Sequence, residues 1–224
     1  DYHRAGFLRV DVDEPELVWN AERTKADVLV RVDEGKRYTV SSVTVVGAER
    51  SLLGAPEPVG EPYTSTLPAR LSTRIRRALR NEGYAFAEGS ASAEVDDESA
   101  TARIRVEAER GTPIRLDEIR FSGNGATRES FMRKRFTLRQ GDVIRRKELE
   151  EGVADLYRSR LFRRVQAELE PTTPGHADLR VEVESADTKR LDVEGGWGSW
   201  AQLYGAIEYK DLNLFGRGRI LRVM

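Results

Sequence analysis

The sequence predicts an α+β protein built from tandem units, each about 76 residues long. Two observations carry this prediction: an apolar helical stripe occurs twice, and alternating segments recur around it at a similar offset. A third observation sets the end of the chain apart, because residues 191–224 alternate without any helical period. We therefore expect repeated modules followed by a segment made only of strands.

The first repeated feature is an amphipathic helix. Apolar residues at positions i, i+4, i+7 and i+8 share one face of a helix. Two sets with this spacing lie 78 residues apart: Leu71, Ile75, Ala78 and Leu79, and then Leu149, Val153, Leu156 and Tyr157. A helix is predicted around each set. In the earlier unit, Pro56, Pro58 and Pro62 disfavour another full helix before it.

The second repeated feature is the strand. Residues 28–32, 104–106 and 179–183 alternate between apolar and polar side chains, as half-buried strands do. Residues 43–47 and 119–123 open successive units and lie 76 residues apart. Each unit therefore reads strand, helical region, helix, strand, strand.

Composition excludes several classes of function. The 37 Lys and Arg residues nearly balance the 38 Asp and Glu residues, so the overall charge does not favour a nucleic-acid partner. Cysteine is absent, and no serine-hydrolase, P-loop or zinc-protease motif occurs. The two histidines, His3 and His176, stand apart in polar surroundings, which indicates structural or solvated roles. The sequence predicts no cofactor, metal or covalent chemistry.

The later complete unit carries a specific set of motifs. A strand ends in Gly123-Asn124, a Gly-Asp pair stands at 141–142, and the second helix bears Leu156-Tyr157 before an apolar pair. This pattern resembles the POTRA domain, a periplasmic module of BamA/TamA-type outer-membrane proteins. The resemblance implies a three-stranded mixed sheet with two helices on one face. It divides the chain into the end of one POTRA domain (1–35), two further POTRA domains (36–111 and 112–187) and a final segment (188–224).

We expect the final segment to form the first strands of an incomplete outer-membrane β-barrel. Faces of two successive strands are formed by Leu191, Val193, Gly195 and Trp197, and by Leu203, Gly205, Ile207 and Tyr209. A segment similar to one that follows the first barrel strands in BamA/TamA-type proteins contains Asn213, Leu214, Phe215, Gly216 and Gly218. A soluble hairpin is the alternative. Because two or three strands cannot close a barrel, we expect these strands to be disordered, paired with another chain or added to a soluble sheet.

The resemblance also implies where a client binds. The second strand of a POTRA sheet is an exposed edge, which corresponds here to residues 8–13, 87–95 and 165–169. Such an edge offers unpaired backbone groups to an extended peptide. The candidate binding residues are Ala87, Ser90, Ser92, Glu94, Val165, Gln166, Ala167, Glu168 and Leu169. The alternative is that these edges are simply solvated and protected by charge.

A second working edge is implied in the final segment. In BamA/TamA-type barrels the first strand pairs weakly with the last, and a client strand can template on the first. The corresponding strand here spans residues 191–200. Its candidate seam residues are Leu191, Val193, Gly195, Gly196 and Trp197. The Gly195-Gly196 pair would weaken packing at the seam or permit strong curvature of the strand.

A basic run occupies residues 128–164, with twelve Lys or Arg against six Asp or Glu. Such a run indicates a solvated helix face or, alternatively, contact with anionic lipid or partner subunits.

These features favour a non-enzymatic assembly factor of the outer membrane, with its POTRA domains in the periplasm. The implied partners are unfolded outer-membrane proteins, accessory assembly subunits and outer-membrane lipid, with no nucleic acid. Two alternatives remain: a two-partner secretion transporter of the same outer membrane protein 85 superfamily, and a POTRA scaffold that binds only partner subunits. An enzyme is expected only if a lipase-like domain precedes residue 1.

Overall fold

A computed structural model describes residues 2–20, 22, 24–54, 57–198 and 202–224. The chain divides into two compact units, Asp1–Leu79 with Phe86–Gly111, and Arg80–Ala85 with Thr112–Met224. Within the described ranges, no helix combines the length and the apolar character that crossing a membrane requires. The four-part division given above stays a prediction.

The start of the first unit is a narrow hairpin of short strands. A 3-10 helix (Tyr2–Ala5) precedes β1 (Asp11–Val12), β2 (Glu16–Trp19), β3 (Ala26–Leu29) and β4 (Val32–Asp33). β2 pairs with β3 and β1 pairs with β4, both antiparallel. The prediction of single strands at 8–13 and 28–32 is wrong. The first range contains only the two-residue strand β1, and the second is divided between β3 and β4; all three strands are largely exposed. Pro15 lies between β1 and β2 and has no amide hydrogen, so the ladder is interrupted there.

The rest of the first unit is a mixed sheet covered by one long helix. Its elements are β5 (Thr39–Val46), a 3-10 helix (Arg50–Leu53), α1 (Leu67–Asn81), β6 (Glu88–Asp96) and β7 (Thr101–Glu109). β7 lies in the middle, parallel to β5 and antiparallel to β6. The predicted stripe of α1 is buried at Leu71, Ile75 and Leu79. Among the described residues between β5 and α1, the helical structure is the single 3-10 turn, which agrees with the prediction from Pro58 and Pro62; Pro56 lies outside the described residues.

The second unit repeats this arrangement. Its module comprises β8 (Arg115–Ser122), α2 (Glu129–Arg133), α3 (Arg146–Arg158), β9 (Phe162–Pro171) and β10 (His176–Ser185). β10 is central, parallel to β8 and antiparallel to β9. The order β-α-α-β-β and the mixed sheet are therefore confirmed in this module. Its core includes Leu156 of α3 and Leu179 and Val181 of β10, all fully buried.

The final segment forms a separate sheet. Its strands are β11 (Lys189–Gly198), β12 (Gln202–Leu214) and β13 (Arg219–Val223), and β12 pairs antiparallel with both neighbours. The expectation that these strands would be disordered or joined to another chain or sheet is wrong. β11 pairs with β12 along its whole length, from Lys189 opposite Asp211 to Gly198 opposite Gln202. The two strands therefore provide hydrogen-bond partners for each other's backbone groups.

Helix α3 carries a glycine that its packing requires. A β-carbon added at Gly152 would lie 2.3 Å from the Phe136 ring, much closer than carbon atoms can approach. The buried ring therefore packs directly on the helix backbone.

We expect Gly152→Ala to lower the free energy of unfolding by about 1–3 kcal/mol, because overpacking outweighs the better helix propensity of alanine. The neighbouring exposed change Glu151→Ala should cost less than about 0.5 kcal/mol. Urea denaturation of the two variants measures the difference, and an unchanged or more stable Gly152→Ala protein would contradict the packing argument.

Candidate binding edges and a docked turn

The two predicted binding edges lie on outer strands of the modules. β6 and β9 each occupy an outer position in a three-stranded sheet, and each is the antiparallel partner of the central strand. Of the predicted residues on β6, Ser90, Ser92 and Glu94 lie on its exposed face. Ala87 is buried just before the strand begins.

The predicted residues of β9 alternate between two environments. Gln166 and Glu168 are exposed on the outer face of the sheet. Val165 is buried, and Ala167 and Leu169 are partly buried against the module core. The edge therefore has a polar outer side and an apolar inner side.

A mostly apolar groove of about 420 Å³ lies between α3 and β9. Its lining consists of Arg146, Leu149, Glu150, Val153, Ala154, Tyr157 and Ala167. The helix residues Leu149 and Val153 belong to the stripe found in the sequence, and both are only partly buried. The sequence did not indicate that these stripe residues border a groove, because the groove depends on how far the helix overlaps the edge strand.

The loop after β9 is held by a carboxylate. Asp117 of β8 accepts hydrogen bonds from the Thr172 hydroxyl at 2.5 Å and from Nδ1 of His176 at 2.7 Å. The Thr172 bond, followed by the His176 bond, holds the pKa of Asp117 below its usual range. His176 thus has the structural role expected from its sequence surroundings.

The final sheet has two chemically different faces. The residues of one face are Leu191, Val193, Trp197, Ile207 and Val223, all well exposed. On the other face, Arg190 pairs with Asp192 at 2.8 Å and Arg222 pairs with Glu208 at 2.6 Å. The candidate seam strand β11 is the outer strand of this sheet, and Gly195 and Gly196 lie opposite Gly205 and Tyr204. Residues 199 and 200 of the predicted strand lie outside the described residues.

The turn between β12 and β13 is docked on the preceding module. The side chain of Asn213 donates to the Thr127 hydroxyl at 2.8 Å and accepts the Gly218 amide hydrogen at 2.9 Å. Arg128 donates its backbone amide to the Gly216 carbonyl at 3.0 Å and its Nε to the Phe215 carbonyl at 3.1 Å. Asn213 and Thr127 are both buried, so the hydrogen bond between their side chains is shielded from water.

The glycines of this turn permit the close contact. A β-carbon at Gly216 would lie 2.2 Å from the carbonyl oxygen of Ala126, and one at Gly218 would lie 2.3 Å from the ring of Phe131. Phe215 has a left-handed φ of 58°, a conformation that a bulky side chain adopts only when its surroundings enforce it. The segment singled out by resemblance, Asn213 to Gly218, is therefore the contact element itself. Its partners Thr127 and Arg128 were not identified from the sequence as residues of this contact.

Much of the basic run is paired locally. Along α3, Arg146 lies 2.5 Å from Glu150 and Arg158 lies 2.5 Å from Asp155. Arg133 donates to the carbonyls of Phe136 and Leu138. These contacts agree with a solvated helix face and a structural role for part of the run.

Comparisons with known proteins identify proteins that are similar to this chain. Residues 114–186 match the POTRA family model, described as surface antigen variable number repeat. The chain is 24% identical to the outer membrane protein assembly factor BamA of Neisseria meningitidis serogroup B over 97% of its length, and 20% identical to BamA of Buchnera aphidicola over 99%. It spans 28% and 37% of the lengths of these two relatives.

Solved structures show the same fold. The crystal structure of Haemophilus influenzae BamA POTRA3-5 matches 82% of this chain and 76% of its own, with a TM-score of 0.63 and 22% identity. The BamA structure from Haemophilus ducreyi lacking POTRA domains 1-3 matches 83% of this chain and 36% of its own, with a TM-score of 0.69 and 22% identity. The resemblance to the POTRA region of BamA-type proteins is confirmed.

We expect Asn213→Ala to detach the turn, because it leaves the buried Thr127 hydroxyl and Gly218 amide without their partner, at a cost of about 1–3 kcal/mol. Amide exchange at Gly218 should accelerate, and a double-mutant cycle with Thr127→Val should show coupling. Arg217→Ala, an exposed change in the same turn, is the control. Equal exchange rates in the Asn213→Ala and Arg217→Ala proteins would contradict the docking.

The depressed pKa of Asp117 predicts an acid-sensitive contribution to stability. This contribution is fully present above the unfolded pKa of aspartate, about 3.9, and is lost as the pH falls through the lower folded pKa. Asp117→Asn should therefore reduce the slope of unfolding free energy against pH below about pH 4, and Thr172→Val should reduce it partly. Urea denaturation between acid and neutral pH measures the slopes, and identical slopes in all three proteins would be inconsistent with this assignment.

Proposed function

We propose that this chain, whose residues 114–186 match the POTRA family model, is the periplasmic client-receiving and scaffolding region of an outer-membrane protein assembly factor similar to BamA. It would work without covalent chemistry, by holding unfolded outer-membrane proteins on its sheet edges and passing them towards a barrel. Its other partners would be accessory assembly subunits and, through that barrel, lipid.

The free edge of β9 beside an apolar groove is the observation that carries the proposal. The outer strand of a mixed sheet exposes backbone groups that bind an extended chain with little dependence on its sequence. The groove adjoining Ala167 offers apolar contacts to alternate side chains of such a chain. Unfolded outer-membrane strands have this alternating character.

The final sheet supports the view that residues 188–224 begin a barrel. One face exposes Leu191, Val193 and Trp197, residues that are 63%, 71% and 78% accessible, whereas the opposite face is charged. A lipid-facing side and a polar lumen side on alternating residues are typical of transmembrane barrels. β11 would then be the seam strand.

The docked turn supports a mechanical link between the two parts. Bonds from Asn213 and Arg128 join the start of the proposed barrel to the POTRA module, and the buried bond from Asn213 to Thr127 resists loosening. We propose that this contact keeps the edge of β9 at a set position relative to β11, so that a client passes over a short distance.

Backbone NMR of the full chain, titrated with peptides from the C-terminal strands of outer-membrane proteins, tests client capture. We expect chemical-shift changes along β6 and β9, because the added strand pairs with their free backbone groups. Ala167→Pro should abolish the changes on β9 and leave those on β6, since proline removes an edge donor yet is tolerated at a sheet edge.

Two other outcomes would be decisive. An absence of shifts at millimolar peptide would overturn client capture and favour a scaffold that positions partner subunits. Shifts on β9 that persist unchanged in the Ala167→Pro protein would show that the peptide binds there by another mode.

A further inference from the structure

One part of the β9 edge is already occupied. The hydroxyl of Tyr157 on α3 accepts the amide hydrogen of Val165 at 3.0 Å and donates to the carbonyl oxygen of the same residue at 3.3 Å. A single side chain thus satisfies both backbone groups that an added strand would use at Val165.

The bonds of Val165 establish which backbone groups of β9 face outwards. In an antiparallel pair, facing residues alternate between exchanging both backbone bonds and exchanging none. Val165 lies opposite Val183 but bonds Tyr157, so this pair exchanges none. The register continues without a shift as far as Ala177 opposite Pro171, so Ala167 and Leu169 also face outwards.

The other end of the edge is closed by a proline. Pro171 has the same outward parity as Ala167 and Leu169, because the next amide, that of Thr172, donates inwards to the His176 carbonyl at 3.2 Å. Proline has no amide hydrogen to offer a guest. Beyond Val165, the outward amide donors of this stretch are therefore those of Ala167 and Leu169.

We propose that β9 accepts a guest strand only through two outward amide donors, those of Ala167 and Leu169, which we call the strand-acceptance window. The Tyr157 hydroxyl bounds this window at one end and Pro171 at the other. The window holds a guest strand in one register. The inference rests on the proposed capture of clients by strand addition. The guest is an extended segment that alternates apolar and polar residues. Its apolar side chains lie in the groove of Leu149 and Val153, and its polar side chains lie beside the exposed Gln166 and Glu168.

The boundary has a physical purpose. A long free edge pairs with any exposed strand, including another copy of the same edge, whereas a short edge limits both register and self-association. In the sequence alignment of the two units, the residue corresponding to Tyr157 is Leu79, which has no hydroxyl. The tyrosine boundary is therefore specific to the second unit.

The test compares the full chain with its Tyr157→Phe and Pro171→Ala variants, using a ten-residue synthetic peptide of alternating apolar and polar residues. In Tyr157→Phe without peptide, amide exchange at Val165 should accelerate about tenfold or more, because its partner is gone. Peptide should then protect Val165 and bind about three- to tenfold more tightly, since a further pair of backbone bonds forms. Pro171→Ala should give a similar gain at the opposite end.

The outcomes that would overturn the window differ from those that would overturn strand capture. Tyr2→Phe removes an exposed tyrosine hydroxyl in the other unit and should change neither exchange nor affinity. Unchanged Val165 exchange in Tyr157→Phe, equal affinity in all variants, or peptide contacts to Val165 in the unaltered protein would overturn the window but leave strand capture standing. A peptide that binds β9 in none of the proteins would overturn strand capture itself, and the window with it.

Discussion

Parallel pairing between the first and last strands of each module is the constraint on which the rest of the structure depends. Parallel neighbours need a crossover connection, and the helices provide it. The remaining strand of each sheet, β6 or β9, forms a hairpin with the central strand and can only take an outer position. A free edge is thus built into the topology, and the protein must protect it or use it.

The two edges are managed differently. β6 presents small and charged residues, including Ser90, Ser92 and Glu94. On β9, a tyrosine from the covering helix bonds the start of the edge, while a proline ends its run of donors. Natural sheets commonly block part of an exposed edge by such means. A partly blocked edge can still bind a strand where two amide donors remain open beside an apolar groove.

The docked turn shows how a module and a following sheet can act together. Gly216 and Gly218 bring the backbone close to Ala126 and Phe131, and Asn213 spans the contact with one buried and one partly buried hydrogen bond. Because a buried polar group is costly to leave without a partner, separating the turn from the module costs free energy.

The sequence by itself determined the repeated module, since the stripes around Leu71 and Leu149 and the alternating strands are local patterns that burial enforces. It also singled out the segment from Asn213 to Gly218. It did not determine the broken strands of the first hairpin, the separate final sheet, or the partners of Tyr157 and Asn213. Those depend on register and on contacts between residues 8 to 86 positions apart, which side-chain periodicity does not encode.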